Sequence, residues 1–189
     1  MIPVEWSIFC DMDGTLIDTD YANYLAYRRA LEIVTQGEYS IEFKPRERLN
    51  RESLQKRIPS LTDCQMKSIV YLKTRYFCDY IEETRLNYNL ANFIRKCDRV
   101  AQCILVTTCR KGRVLETLHY HNMHEYFTRL VCYEELLEAR ASNKYAYSLE
   151  LVGANPNFVL VFENEISEIE KAILAGIPRK NINFNLSLT

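Results

Sequence analysis

The stretch Trp6–Cys10, WSIFC, followed by residues 11–18, DMDGTLID, decides the fold of this chain. An apolar run of strand-forming residues leads into two carboxylates, Asp11 and Asp13, and a turn at Gly14. In parallel sheets, ligands bind just past the carboxyl ends of the strands. Two acids at such a position suit a Mg²⁺ site and phosphate chemistry, one as nucleophile and the other as proton carrier. The same pattern also fits a capped turn with solvated acids. Other motifs along the chain are therefore needed to distinguish a catalytic site from a turn.

Further apolar runs, rich in β-branched and aromatic residues, predict buried strands along the chain. They are Cys103–Val106, Leu130–Cys132, Phe158–Phe162 and Ile182–Phe184. Amphipathic helical stripes lie between these runs, and strands that alternate with single helices indicate a parallel sheet covered on both faces. The predicted fold class is therefore α/β, with a doubly wound parallel sheet.

One connection is too long for a single crossover helix. About 90 residues separate Cys10 from Cys103, whereas a crossover needs only about a dozen residues or slightly more. Apolar residues in this segment recur at helical spacing, as at Tyr24, Tyr27, Leu31 and Val34. We therefore predict an all-helical insert, residues 18–86, in an α/β core formed by residues 1–17 and 87–189.

Composition argues against several classes of function. The 189 residues carry 24 basic and 25 acidic side chains, and this balance is unlike a broadly basic nucleic-acid surface. The five glycines form neither a dinucleotide-binding fingerprint nor a P-loop. Seven cysteines without a C-x-x-C pair favour reduced thiols and a cytoplasmic location. No apolar run approaches the roughly 20 residues of a membrane span, and the first ten residues do not resemble a signal peptide.

Four motifs, in order along the chain, resemble those of a known family. The first is DMDGTLID, and the second is Ile104–Thr108, an apolar strand that closes in threonine. The third is Lys144, which precedes an amphipathic helix, and the fourth is VFEN at residues 161–164. Together they resemble the motifs of the haloacid dehalogenase superfamily in its phosphatase branch. The resemblance implies a Rossmann-like core and identifies the helical insert as a cap domain.

The resemblance assigns catalytic roles to four residues. Asp11 is expected to attack phosphorus and form an aspartyl-phosphate, and Asp13 to protonate the leaving alcohol and then activate water. Thr107 is expected to hydrogen-bond a phosphoryl oxygen, and Lys144 to balance charge between the nucleophile and the phosphoryl group. Further candidates for phosphate binding are Gly14, Thr108 and Arg110.

The resemblance also implies a Mg²⁺ cofactor. The candidate ligands are Asp11, Asp13, Glu163, Asn164 and Glu168. Asn164 stands where the family's fourth motif has an aspartate, and an amide oxygen brings no negative charge to the ion. We therefore expect a weakened but working metal site, which predicts that Asn164→Asp tightens Mg²⁺ binding.

The expected activity is Mg²⁺-dependent hydrolysis of a small phosphate monoester, a phosphorylated metabolite, with no membrane or nucleic-acid partner. Three alternatives stay open: a non-catalytic binding protein with a degenerate metal site, a phosphomutase and a phosphonatase. A phosphonatase would need a Schiff-base lysine, for which Lys44 and Lys56 are nominal candidates. The mixed-charge run at residues 44–57 is either a substrate contact or a solvated face.

Overall fold

A computed structural model describes residues 6–45, 47–97 and 100–183. The chain divides into two compact units. One consists of Met1–Ile17 together with Leu86–Thr189, and the other consists of Asp18–Arg85.

The strands lie mostly in the first unit. In chain order they are β1 (Ser7–Cys10), β2 (Ile17–Asp18), β3 (Arg85–Leu86), β4 (Gln102–Val106), β5 (Arg129–Val131), β6 (Val159–Phe162) and β7 (Ile182–Asn183). Five of them form one sheet in the order β5-β4-β1-β6-β7, and each pair of neighbours is parallel. The predicted parallel sheet is confirmed. The part of the last predicted strand that falls on Phe184 lies outside the described residues.

The helices belong to both units. In chain order they are α1 (Asp20–Thr35), α2 (Arg51–Arg57), α3 (Asp63–Tyr76), α4 (Tyr88–Cys97), α5 (Lys111–Tyr120), α6 (Tyr133–Glu138), α7 (Lys144–Val152) and α8 (Ile166–Leu174). Helices α4 to α8 connect the strands of the parallel sheet.

Helices cover both faces of the sheet, which explains why the central residues of its strands are apolar on both faces. In β1, Ile8 belongs to a core cluster that contains Leu90 of α4 and Val114 of α5. The next residue, Phe9, belongs to a second cluster that contains Leu149 of α7. Because successive side chains of a strand point to opposite faces, β1 must be apolar on both. The doubly wound architecture predicted from the sequence follows from this pattern.

The second unit has a core of its own. It contains α1, α2 and α3, whose fully buried side chains include Leu31, Leu54 and Met66. Both α2 and α3 begin with a capping box, at Asn50 and Thr62, in which side chains and backbone amides satisfy each other at the helix start. This unit therefore packs as a small helical domain.

Two short strands were not predicted from the sequence. β2 and β3 pair with each other where the chain passes from one unit to the other. Each has only two residues, so neither shows the alternation by which a strand is recognised. Among the described residues, no helix is long and apolar enough to cross a membrane.

Candidate active site

The carboxyl ends of three neighbouring strands bring the predicted site residues to one edge of the sheet. Asp11 follows β1, Thr107 follows β4 and Glu163 follows β6, and β1 lies between the other two strands. Lys144, the first residue of α7, reaches the same edge and contacts Asp11. Residues from all four sequence motifs therefore meet in this region.

The ammonium group of Lys144 forms the centre of the site. Its Nζ lies 2.8 Å from Asp11 Oδ1, 2.8 Å from Glu163 Oε2 and 3.9 Å from Glu168 Oε2. Lys144, Asp11 and Glu163 are buried, so water screens these charges weakly. One cation therefore faces three carboxylates in a largely dry environment.

This environment shifts the pKa values of both Asp11 and Lys144. Burial raises the pKa of Asp11 to about 7, with the neighbouring charges of Glu163 and Asp13 acting in the same direction and Lys144 opposing them. Burial disfavours the charged form of Lys144, but attraction to Asp11 and Glu163 outweighs it and raises the pKa of the ammonium above its ordinary value. Lys144 is therefore a permanent cation, while excess negative charge surrounds Asp11.

Both carboxylate oxygens of Glu163 accept hydrogen bonds. Lys144 Nζ and the buried Tyr145 hydroxyl donate to Oε2, at 2.8 and 2.7 Å. The backbone amides of Asn164 and Glu165 donate to Oε1, at 2.8 and 2.9 Å. These contacts make Glu163 an anchor that joins α7 to the loop after β6. The geometry does not favour Glu163 as a metal ligand, since both of its oxygens already accept two donors.

A tight turn follows Asp11. The Met12 carbonyl accepts the amides of Thr15, Leu16 and Ile17. Gly14 adopts a left-handed conformation with φ of +79°, and its amide donates to the Ile17 carbonyl at 2.8 Å. This amide is committed to the turn, so the geometry does not support the predicted contact of Gly14 with phosphate.

The carboxylate of Asp13 is held by two residues of the segment after β4. Arg113 Nη2 lies 2.7 Å from Asp13 Oδ1, and the Cys109 thiol donates to Oδ2 at 3.0 Å. The side chains of Arg113 and Asp13 are nearly buried. Sequence reasoning missed Arg113, although it lies four residues before the buried Thr117 and thus on the inward face of α5.

The other residues predicted to bind phosphate differ in how deeply they are buried. Thr107 is buried, and its Oγ1 accepts the Cys109 amide at 3.2 Å, which leaves the hydroxyl proton to be donated elsewhere. Thr108 is exposed. Arg110 is also exposed, 3.8 Å from Glu134 and with its guanidinium 5.1 Å from the centre of the Tyr133 ring. Arg113, rather than Arg110, is the arginine that meets a motif residue.

Asn164 lies against the turn after β1. One end of its amide is 3.1 Å from Thr15 Oγ1 and 3.3 Å from the Asp13 carbonyl oxygen. Among the described residues, His, Cys, Asp and Glu side chains form no group of three or more arranged to hold a metal ion. A cation here would depend on the Asp11 carboxylate, the Asp13 carbonyl and the Asn164 amide oxygen. Such an all-oxygen set with few carboxylates fits Mg²⁺, which keeps water and phosphate among its ligands.

Comparisons with known proteins point to one family. The family model for haloacid dehalogenase-like hydrolases matches residues 8–182. A phosphorylated carbohydrates phosphatase from Thermotoga maritima is 28% identical over 182 residues, which span 92% of this chain and 82% of the relative.

Two solved structures share the fold. A haloacid dehalogenase-superfamily hydrolase of subfamily IA from Geobacter sulfurreducens has a TM-score of 0.68 at 16% identity, covering 93% of this chain and 85% of that one. CbbY from Rhodobacter sphaeroides, solved in complex with phosphate, has a TM-score of 0.72 at 18% identity, covering 90% and 83%. At these identities, the likeness establishes the shared fold.

Proposed function

The chain belongs to the haloacid dehalogenase-like hydrolase family, and we propose that it is a phosphatase that hydrolyses a small phosphate monoester through an aspartyl-phosphate on Asp11. The observation that carries this proposal is the buried contact of 2.8 Å between Asp11 and Lys144 at the end of β1. A buried acid of raised pKa beside a fixed cation is typical of a reactive carboxylate.

In the first step, Asp11 attacks phosphorus. Lys144 holds Oδ1 of the carboxylate, which orients the other oxygen for in-line attack. A bond forms between that oxygen and phosphorus, and the bond from phosphorus to the ester oxygen breaks. Asp13 donates a proton to the departing alcohol. Lys144 and the Thr107 hydroxyl stabilise the charge on the phosphoryl oxygens.

In the second step, water hydrolyses the acyl phosphate. Asp13 now accepts a proton from the attacking water, phosphate departs and the Asp11 carboxylate is restored. Arg113 and Cys109 hold the Asp13 side chain, so we assign both residues a role in positioning the proton carrier.

The residues that would hold Mg²⁺ are Asp11, Asp13 through its carbonyl, and Asn164 through its amide oxygen. When bound, the ion supplies positive charge that stabilises the phosphoryl group during transfer. Glu168 is close to Lys144 and to Lys171, which balances its charge without a metal. We therefore assign Glu163 and Glu168 to the support of Lys144.

The substrate class we propose is a phosphorylated carbohydrate. The supporting observation is the named activity of the Thermotoga maritima relative. We propose that the helical unit, Asp18–Arg85, acts as the cap that selects the substrate. The cysteines of the described residues form no disulfide, which supports the proposal of a reducing, cytoplasmic location.

The test is release of inorganic phosphate from a panel of sugar phosphates, measured with Mg²⁺ and with EDTA. We expect Mg²⁺-dependent release by the native chain and none by Asp11→Asn. Release that survives Asp11→Asn would contradict the assigned nucleophile. An isomerised sugar phosphate with little free phosphate would indicate a mutase, and inactivity on the whole panel would indicate a binding protein.

A further inference from the structure

The amide of Asn164 lies where the turn after β1 meets the loop after β6. One end of it is 3.1 Å from Thr15 Oγ1, 3.2 Å from Glu163 Oε1 and 3.3 Å from the Asp13 carbonyl oxygen. If Oδ1 occupies this end, Thr15 donates to it while the other two neighbours are acceptors. If Nδ2 occupies it, all three neighbours can accept from the two N–H groups of the amide, one of them shared between two acceptors. In the first orientation Oδ1 faces two other acceptor oxygens with no proton between them, which is costly at a half-buried position, so the second orientation is the stable one without a cation.

We propose that Nδ2 of Asn164 takes the place of the cation in the metal-free chain, so that the site is folded and satisfied without a metal. The inference rests on the Mg²⁺ site of the proposed function. A cation shared by Asn164 and the Asp13 carbonyl requires Oδ1 to face inward. Metal binding therefore competes with the hydrogen bonds of the amide, in addition to lacking the charge of a carboxylate.

The neighbours of Asn164 fit both orientations of the amide. The Thr15 hydroxyl can donate to Oδ1 or accept from Nδ2, because its proton rotates about the C–O bond. Gly14 lies against the other end of the amide, where a Cβ would clash with Asn164. The absence of a side chain at Gly14 thus leaves the room that the amide occupies.

Charge explains why an amide, rather than a carboxylate, suits a metal-free site. Lys144 already faces Asp11 and Glu163 at 2.8 Å and Glu168 at 3.9 Å. An aspartate at position 164 would add a negative group next to Glu163 Oε1 and the Asp13 carbonyl. Without a cation these oxygens would repel one another, and a divalent ion would relieve the repulsion.

The experiment compares thermal unfolding of the native chain and Asn164→Asp, first in EDTA and then with increasing Mg²⁺. In EDTA we expect Asn164→Asp to melt below the native chain. At a Mg²⁺ concentration about 100-fold above its Kd, the variant is expected to gain about 5 to 10 °C, and the native chain less than about 2 °C at that concentration. The matched control is Asn157→Asp, the same charge change at an exposed position, which is expected to melt like the native chain in both buffers.

A second measurement does not depend on the variant folding. In spectra of the native chain in EDTA, the side-chain NH₂ group of Asn164 is expected to exchange with water more slowly than that of the exposed Asn157. Fast exchange of Asn164 would overturn the inference, as would an Asn164→Asp variant that is as stable as the native chain in EDTA. An equal Mg²⁺ shift in both proteins would also overturn it. These readouts require no turnover, so inactivity toward phosphate esters would contradict only the proposed function.

Discussion

Two lysine–carboxylate contacts of almost equal length, one in each unit, differ in how far their charges are exposed to water. In the sheet unit, Lys144 lies 2.8 Å from Asp11, and their side chains are 3% and 9% exposed. In the helical unit, Lys56 lies 2.7 Å from Glu52, and their side chains are 74% and 77% exposed. Water screens the second pair, whereas the first pair has lost most of its hydration. Burial, rather than distance, therefore separates a candidate catalytic contact from a surface contact.

The mixed-charge run of the helical unit, residues 44–57, also contains exposed ion pairs. Lys44 and Arg57 both lie close to Glu47, at 3.7 and 2.9 Å, while Lys56 meets Glu52 one turn away. These contacts fit a solvated face, the second of the two interpretations of residues 44–57, of which Arg46 lies outside the described residues. The described structure pairs these cations with carboxylates of the same unit.

The largest expected effect follows from Lys144→Met. The substitution leaves Asp11, Glu163 and Glu168 without their shared cation, and removal of one partner from a buried ion pair costs about 3 to 5 kcal/mol of unfolding free energy. Phosphate release is expected to fall by at least roughly 100-fold, as when a transition-state donor is removed. Chemical denaturation and steady-state kinetics measure the two effects. Native-like stability of Lys144→Met would contradict the importance of burial.

The next largest effect is expected from Arg113→Met, which removes the cation that holds the Asp13 carboxylate. Arg113→Met is expected to lower kcat by about 10- to 100-fold with little change in KM, because it displaces a proton carrier without removing a substrate contact. Arg113→Lys is expected to recover part of the loss. The matched control is Arg110→Met, whose exposed guanidinium meets Glu134. If Arg110→Met were the more damaging variant, the phosphate contact predicted for Arg110 from the sequence would be supported instead.

A pH-dependent effect is expected from Asp11→Asn. The pKa of Asp11 is about 7 in the folded chain and about 4 in an unfolded chain, so the folded state binds this proton more tightly. Stability attributable to Asp11 therefore falls as pH rises from about 4 to about 7. Asp11→Asn cannot ionise, and in EDTA it is expected to be more stable than the native chain at pH 8.

The difference is expected to shrink as pH falls from about 7 and to level off below about 4, where Asp11 is protonated in both states. Denaturation at several pH values measures it, with the exposed Asp63→Asn as control. A stability difference that grows toward low pH would contradict the raised pKa.

The smallest effect is expected from Lys56→Met. Both partners of this contact are highly exposed, so neither the unfolding temperature nor kcat is expected to change measurably. A loss of activity here, with stability intact, would show that the basic run contacts the substrate. An exposed cation would then matter for function without contributing to the stability of the fold.

The sequence predicted the parts of the molecule that depend on local pattern. Apolar runs such as the one before Asp11 located the five strands of the parallel sheet, since a strand covered on both faces carries apolar residues on both of them. Residues at strand ends, such as Thr107, could be predicted to lie close to Asp11 because the carboxyl ends of parallel strands meet at one edge of the sheet. Lys144 was identified from the third motif, as a lysine that precedes an amphipathic helix.

Other features depend on three-dimensional register and could not be predicted. Arg113 reaches Asp13 only because α5 turns that side chain inward, whereas closeness along the chain to the second motif favoured Arg110. The bond from Tyr145 to Glu163 joins a helix to a loop that are adjacent only in the fold. The direction of the Asn164 amide depends on acceptors from two separate segments.

Trapping the covalent intermediate tests directly whether Asp11 is the nucleophile. The native chain is mixed with a sugar phosphate and Mg²⁺ and quenched in acid within its first turnovers, and its peptides are analysed by mass spectrometry. We expect a phosphoryl group on the peptide that carries Asp11, labile at alkaline pH as an acyl phosphate is, and none in Asp11→Asn. A phosphoryl group on a different residue, or phosphate release by Asp11→Asn at the native rate, would contradict the account.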